Sequence, residues 1–251
     1  MKKVAVVTGA SAGLGVDFAR QLSKQGHRLV LVARRKDRLE ALAKELGKAR
    51  AVAIDLSKPN AAAKLMADVA AAGETIDLLV NNAGFGLIGR FAELDEKRLR
   101  QMIDLNVATL TDLCRAVAPQ MIKRKSGAIL NVASTAAFQP GPKMAVYFAT
   151  KAYVLSFTEA LHEELKPHGI SVTCLCPGPT RTEFGEVAGF GGNGMFDTVA
   201  MGSPEVVEAG LKALEKNRAV IVPGWMNKVT SASPRFAPRA LVRKIAGAIK
   251  Y

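Results

Sequence analysis

Tyr147 and Lys151 stand four positions apart in the stretch YFATK. On a helix that spacing projects a phenol and an ammonium from one face. A phenol that releases its proton beside a cation that favours the resulting anion is a proton-transfer pair. Four-residue spacings also occur as ordinary surface pairs, and the chain carries its own comparison. Tyr153 has Phe157 four positions on and no basic partner, and Tyr251 is the last residue. Ser134 ends an apolar run thirteen residues before Tyr147, and Asn106 lies upstream in the helical stretch LNVAT. Bringing a phenol from a pKa of about 10 to about 7 takes roughly 4 kcal/mol. One cation about 4 Å away supplies that order at an effective dielectric of about 20. Lys151 is therefore expected to lower the pKa of Tyr147.

A second constellation lies near the N-terminus. TGASAGLG places Gly9, Gly13 and Gly15 where an apolar run ends and helical periodicity begins. Glycines there permit a tight turn and let backbone N–H groups approach a pyrophosphate, which a helix N-terminus also favours. At the end of the second strand, where a carboxylate would accept from an adenosine ribose, the chain has Ala33, then Arg34 and Arg35. Without that carboxylate a 2′-phosphate is not repelled, and guanidinium forks match it. The expected cofactor is NADP(H), preferred over NAD(H), with Arg34 as the phosphate reader. Asp55 and Leu56 close a third strand and NNAG, residues 81–84, closes a fourth. Ends of successive parallel strands are where such sheets bind ligands.

Short β-branched runs alternate with longer helical stretches, the pattern of βα units around a parallel sheet buried on both faces. Strands are expected at 3–8, 28–33, 50–55, 76–81, 127–134, 170–177 and 219–223. The expected fold is α/β, a Rossmann-type doubly wound, seven-stranded parallel sheet flanked by helices in a single domain. Residues 1–225 form that domain, with a substrate lid at about 184–202, and 226–251 form a basic amphipathic tail.

The G-x-x-x-G-x-G turn, NNAG and the ordered set Asn106, Ser134, Tyr147 and Lys151 resemble the classical short-chain dehydrogenase/reductase family, with motif order matching over about residues 3–223. The resemblance implies that Tyr147 delivers a proton to a carbonyl accepting hydride and that Ser134 positions it. It implies that Lys151 also holds the nicotinamide ribose, and that Asn106 supports a water chain from Lys151 to solvent. It places the cofactor against Gly9, Ser11, Gly13, Leu14, Gly15, Arg34, Arg35, Asp55, Leu56, Asn82, Ala83, Gly84, Tyr147 and Lys151. The turn PGPTRT is expected to meet the carboxamide through Pro177, Gly178, Thr180 and Thr182. Arg181 has no assigned role.

Composition narrows the alternatives. The 251 residues, 49% of them hydrophobic, suffice for one large core. Cys114, Cys174 and Cys176 form no disulfide framework or C-x-x-C motif, which fits a reducing cytoplasm. The two cysteines of the sixth strand are expected to pack as small apolar groups. His27, His162 and His168 lack metal-ligand spacing and are expected at the surface. The formal charge is +13, but no acidic residue follows Glu215, so much of the excess belongs to the tail. Nucleic acid is not expected as a partner, because no recognition module accompanies the charge. Phe138, Met144, Phe184, Phe190, Met195 and Phe196 suggest an apolar pocket and hence a lipophilic ketone or aldehyde. The alternatives are a 3-oxoacyl carrier-protein reductase and a non-catalytic NADPH-binding regulator. A homodimer or homotetramer is expected. In the tail, Leu241, Ile245 and Ile249 share one face, suited to core packing, to a subunit contact or to a peripheral membrane contact.

Overall fold

The computed structural model describes residues 3–185 and 200–248. Seven parallel strands form one sheet in the order β3-β2-β1-β4-β5-β6-β7. They are β1 (Val4–Thr8), β2 (Arg28–Ala33), β3 (Ala49–Ala53), β4 (Ile76–Asn81), β5 (Gly127–Val132), β6 (Ile170–Leu175) and β7 (Val220–Ile221). Central strands run apolar throughout because helices cover both faces. Val4, Val6, Val30 and Val32 point to one core, and Ala5, Val7, Leu29 and Leu31 to the other. The first core is closed by α3 (Ala61–Ala71), α5 (Leu110–Arg124) and α6 (Ala145–Leu165). The second is closed by α1 (Leu14–Lys24), α2 (Lys36–Leu46) and α7 (Ser203–Glu215).

The chain winds outward from β1 to β3, then returns to place β4 on the other side of β1. That reversal opens a crevice at the C-terminal strand ends. β5 and β6 stop two residues before the expected ends, at Val132 and Leu175, and β7 holds two residues instead of the expected five. The residues freed at the ends of β5 and β6 become loops over the crevice. In the connection to α5, α4 (Glu96–Ile103) passes into a widened π turn, Asp104–Thr109, which carries Asn106 inward. After β7 come α8 (Trp225–Ala232) and α9 (Arg239–Ala248).

One histidine expectation is corrected. His162 is buried on the inner side of α6, its Nδ1 2.7 Å from the Val172 carbonyl of β6. Helix α6 is apolar around much of its circumference, so a position that looks polar in sequence still faces the sheet. His168 is exposed and His27 half-buried. Cys174 and Cys176 are buried together as expected, with sulfurs 3.7 Å apart. Tyr153, the comparison phenol, turns outward, stacks on Phe157 and shares a 2.9 Å hydrogen bond with the Thr111 hydroxyl.

Candidate active site

A cleft of about 1050 Å³ follows the C-terminal ends of the strands. At its floor, β1 ends in Thr8, whose hydroxyl donates to the Val80 carbonyl and accepts from the backbone N–H groups of Asn82 and Ala83, both at 3.0 Å. The Asn82 amide donates back to the Thr8 carbonyl at 2.8 Å. These bonds lock the glycine turn to the NNAG segment. Gly9 has φ +69, and a Cβ there would come within 2.7 Å of the Asn82 amide nitrogen. Gly13, at φ +51, precedes α1 without any side-chain cap. The N-terminal N–H groups of α1 are thus left for an anion, and the bare turn lets it approach. A dinucleotide pyrophosphate fits this cradle.

A buried amide chain sets the opposite wall. Asn81 donates to Asn131 at 2.9 Å, and Asn131 donates to the Thr158 hydroxyl at 3.0 Å, tying β4 and β5 to α6. Asn81 therefore serves the core, while Asn82, Ala83 and Gly84 line the cleft. Asn106 is 1% exposed and stands behind the lining. Its amide donates to the Phe85 carbonyl at 3.0 Å and the Thr150 hydroxyl at 3.1 Å, and its oxygen accepts from Phe85 N–H at 3.2 Å. Asn106 thus holds the strand-end loop against α6. Gly15 also stays out of the lining, packed against the backbone of Gly9 and Ala10.

The other expected residues, Gly9, Ser11, Gly13, Leu14, Arg34, Arg35, Asp55, Leu56, Ser134, Tyr147, Lys151, Pro177, Gly178, Thr180 and Thr182, all line the cleft. Ser134 follows β5 by two residues in extended backbone, and its hydroxyl accepts from Ala136 N–H at 3.1 Å. Tyr147 and Lys151 both project from the first turns of α6 and are buried. Burial pushes the Tyr147 phenol up to about 12, and the adjacent Ser134 hydroxyl offsets part of that rise. Burial pushes Lys151 down to about 8. The expectation that Lys151 lowers the Tyr147 pKa is corrected here. The ammonium donates to the Val132 carbonyl at 2.8 Å and lies 5.8 Å from the phenol ring centroid, and the dry site disfavours both charges. The phenol is held as an acid.

At the adenosine end the two arginines face different partners. Arg35, not Arg34, turns to the glycine turn, donating to the Ser11 hydroxyl and the Ser11 carbonyl, each at 3.2 Å. A further Arg35 nitrogen donates to Glu183 at 3.0 Å, and Arg38 donates to the other Glu183 oxygen at 2.6 Å. These two guanidiniums hold the Glu183 carboxyl below its usual range. Arg34 is exposed on the cleft lining, where its charge acts on Asp55. Burial raises the Asp55 pKa, but hydrogen bonds from Ser57 and the charges of Arg34 and Lys58 outweigh it and leave it lowered.

Thr8, Arg38 and Glu183 were missed by sequence reasoning. Thr8 opens the stretch TGASAGLG and Glu183 directly follows PGPTRT, which was the signal available for them. Toward the substrate side the wall is Phe85, Met144, Phe148 and Phe184, and Phe184 lies 5.5 Å from Tyr147 between ring centroids. Phe138 is corrected: it is half-buried, packs against the first core and does not line the cleft. Phe190, Met195 and Phe196, with most of the expected lid, lie outside the described residues. Gln101 and Arg98 add polar lining, the Arg98 guanidinium 4.9 Å over the Phe85 ring. Among the described residues no group of three metal-ligating side chains gathers.

The arrangement can bind a dinucleotide along the strand ends and give up a phenolic proton at a dry, apolar wall. Known proteins are similar to this chain. The family model described as short chain dehydrogenase matches residues 3–189. An uncharacterised oxidoreductase of Staphylococcus epidermidis is 38% identical over 192 residues, covering 76% of this chain and 83% of the relative. An NADP-dependent 3-hydroxy acid dehydrogenase of Escherichia coli is 36% identical over 216 residues, covering 82% and 86%. The solved structure of a short-chain dehydrogenase from Sphingobium yanoikuyae in complex with NADPH superposes with a TM-score of 0.84 at 32% identity, covering 99% of this chain and 96% of that one.

Proposed function

The chain belongs to the short-chain dehydrogenase/reductase family and is an oxidoreductase, and on that premise we propose that it reduces lipophilic ketones or aldehydes with NADPH. When bound, the nicotinamide supplies the hydride. The chain's own residues do the rest. The glycine turn and the N-terminus of α1 take the pyrophosphate, and Arg35 with Arg34 takes the 2′-phosphate. Lys151 donates to a ribose hydroxyl, and Ser134 holds the carbonyl oxygen beside Tyr147. Tyr147 then delivers the proton that turns the developing alkoxide into an alcohol. The observation that carries this reading is the buried Tyr147 beside Ser134 in the same cleft as the arginine-edged glycine turn.

Following cofactor fluorescence during addition of lipophilic ketones and aldehydes tests it. Consumption of NADPH with alcohol formation is expected, and NADPH binding without turnover of any carbonyl tested would favour the regulator. A 3-oxoacyl group on an acidic carrier is the second reading. Arg98 and Arg181, both exposed on the cleft lining, favour it. Faster turnover of a 3-oxoacyl thioester than of every simple ketone would select it.

Cofactor choice yields a separate prediction. Hydrogen bonds to charged groups contribute about 1.5–3 kcal/mol each, so Arg35→Ala should weaken NADPH binding by about 10–100-fold and leave NADH within about threefold. Glu183→Gln should act in the opposite direction. Its carboxylate occupies the guanidiniums that a 2′-phosphate needs, so its neutralisation should tighten NADPH binding several-fold while NADH changes little. Equal effects on both cofactors in a fluorescence titration would remove Arg35 from the 2′-phosphate site.

A further inference from the structure

Large apolar side chains are exposed at nine places among the described residues, and six of these fall between residues 225 and 245. They are Trp225, Met226, Val229, Phe236, Leu241 and Ile245, with Trp225 75% and Phe236 88% exposed. Single exposed apolar residues are ordinary, but a concentration in three consecutive short elements marks an interaction surface. The helices have already used their inward faces. In α9, Val242 and Ala246 are buried while Leu241 and Ile245 remain outside. In α8, Asn227 packs beside Gly178 and donates to the Pro223 carbonyl at 2.9 Å, and Ser231 is buried.

Charge selects the occupant. Lys228, Arg235, Arg239, Arg243 and Lys244 accompany the apolar residues, and no acidic residue follows Glu215. All five cations are exposed. A second copy docked on the same face would bring two sets of five cations together. A nucleic acid would satisfy the cations and stack on Trp225 or Phe236, but it offers nothing to Val229, Leu241 and Ile245. An anionic lipid interface meets both needs, with headgroups for the cations and acyl chains for the apolar side chains.

We propose that α8, the turn after it and α9 dock this protein peripherally on an anionic lipid bilayer. No helix among the described residues is long and apolar enough to cross a membrane, so the contact lies along the interface. Docking also orients the cleft. Helix α8 carries Trp225, Met226 and Val229 on its exposed surface, while Thr230 and Ser231 of the same helix line the cleft. A carbonyl compound dissolved in the bilayer would then have a short path to the cleft wall. That consequence rests on the reductase reading, whereas the docking itself does not.

The test is sedimentation of the full chain with phosphatidylcholine vesicles, with and without about a third phosphatidylglycerol, at low and high salt. The expected result is at least about tenfold stronger partition to the anionic vesicles, weakened by salt. The triple variant Trp225→Ser/Phe236→Ser/Ile245→Ser should lose that partition while still binding NADPH, which reports an intact fold. Failure of the unaltered chain to bind anionic vesicles would overturn the proposal. So would full retention of binding by the triple variant, which would reduce the contact to charge alone. A change of the triple variant to a smaller oligomer in sedimentation velocity, with vesicle binding preserved, would assign the face to a second copy.

Discussion

Replacing Tyr147 with phenylalanine is expected to lower kcat for carbonyl reduction about 1,000-fold, within the range for removal of a positioned general acid. NADPH affinity should change by less than about threefold, because the phenol ring and its packing against Phe148 and Phe184 remain. Stability should shift by less than about 1 kcal/mol, since among the described residues the lost hydroxyl has the Ser134 hydroxyl as its one side-chain hydrogen-bond neighbour. The cause is specific to this wall of the cleft. An alkoxide forming beside Phe184 and Met144 meets an apolar surface, so a missing proton donor is not readily replaced by solvent. Single-turnover kinetics with saturating NADPH make the comparison. A variant retaining more than about a tenth of the rate would move proton delivery from Tyr147 to another group.

The scaffold was legible because its signals are local and repeated. Val4 to Val7 and Leu29 to Val32 read as strands buried on both faces, and the sheet order confirms the doubly wound pattern. Motifs at strand ends were legible for the same reason, since the topology alone sends Ser11, Asn82, Ser134 and Thr180 to one cleft. What depended on side-chain direction was not. Spacing placed Arg34 and Arg35 at the strand end, but it could not show that Arg35 bonds Ser11 while Arg34 stays exposed on the cleft lining. His162 looked polar and exposed, yet it sits on the buried face of its helix with its ring against β6. The pair Tyr147 and Lys151 could be seen in sequence, but its electrostatics could not. Four-residue spacing gives a distance and no dielectric, and burial pushes the phenol up and the ammonium down, offset only in part by Ser134 for the first and by Cys174 and Cys176 for the second. Glu183 carried no signal of its own, because its partners lie 148 and 145 residues away.

Lys151→Met is expected to make the protein more stable near neutral pH while reducing turnover by at least about 100-fold. A buried ammonium with a carbonyl as its hydrogen-bond partner is costly to fold around. Its fall from 10.5 to about 8 corresponds to on the order of 3 kcal/mol below pH 8, where folded and unfolded chains both carry the proton. Methionine removes that cost and fills similar space, but leaves the Val132 carbonyl without its donor, a loss of about 1 kcal/mol. The net gain of about 2 kcal/mol would raise Tm by about 4–8 °C for a chain of this size. The sign of the pH dependence follows from the same shift. Between pH 8 and 10.5 the unfolded chain binds a proton that the folded one has released, so this lysine makes stability rise with pH across that window. The methionine variant should lack that rise, and its advantage should shrink toward pH 10. Above pH 10 both proteins should lose stability, because Tyr147, raised from 10 to about 12, stays protonated in the fold while the unfolded phenol ionises. Thermal melts of both proteins at pH 7 and pH 9.5 decide the matter. A lower Tm for the variant at pH 7, or the same pH slope in both proteins, would show that Lys151 is not a buried charge held at a cost. A stabilised and inactive variant would show why the cost persists. Phenolate formed at Tyr147 as its proton leaves needs a cation nearby, and Lys151 is the cation that α6 places one turn away.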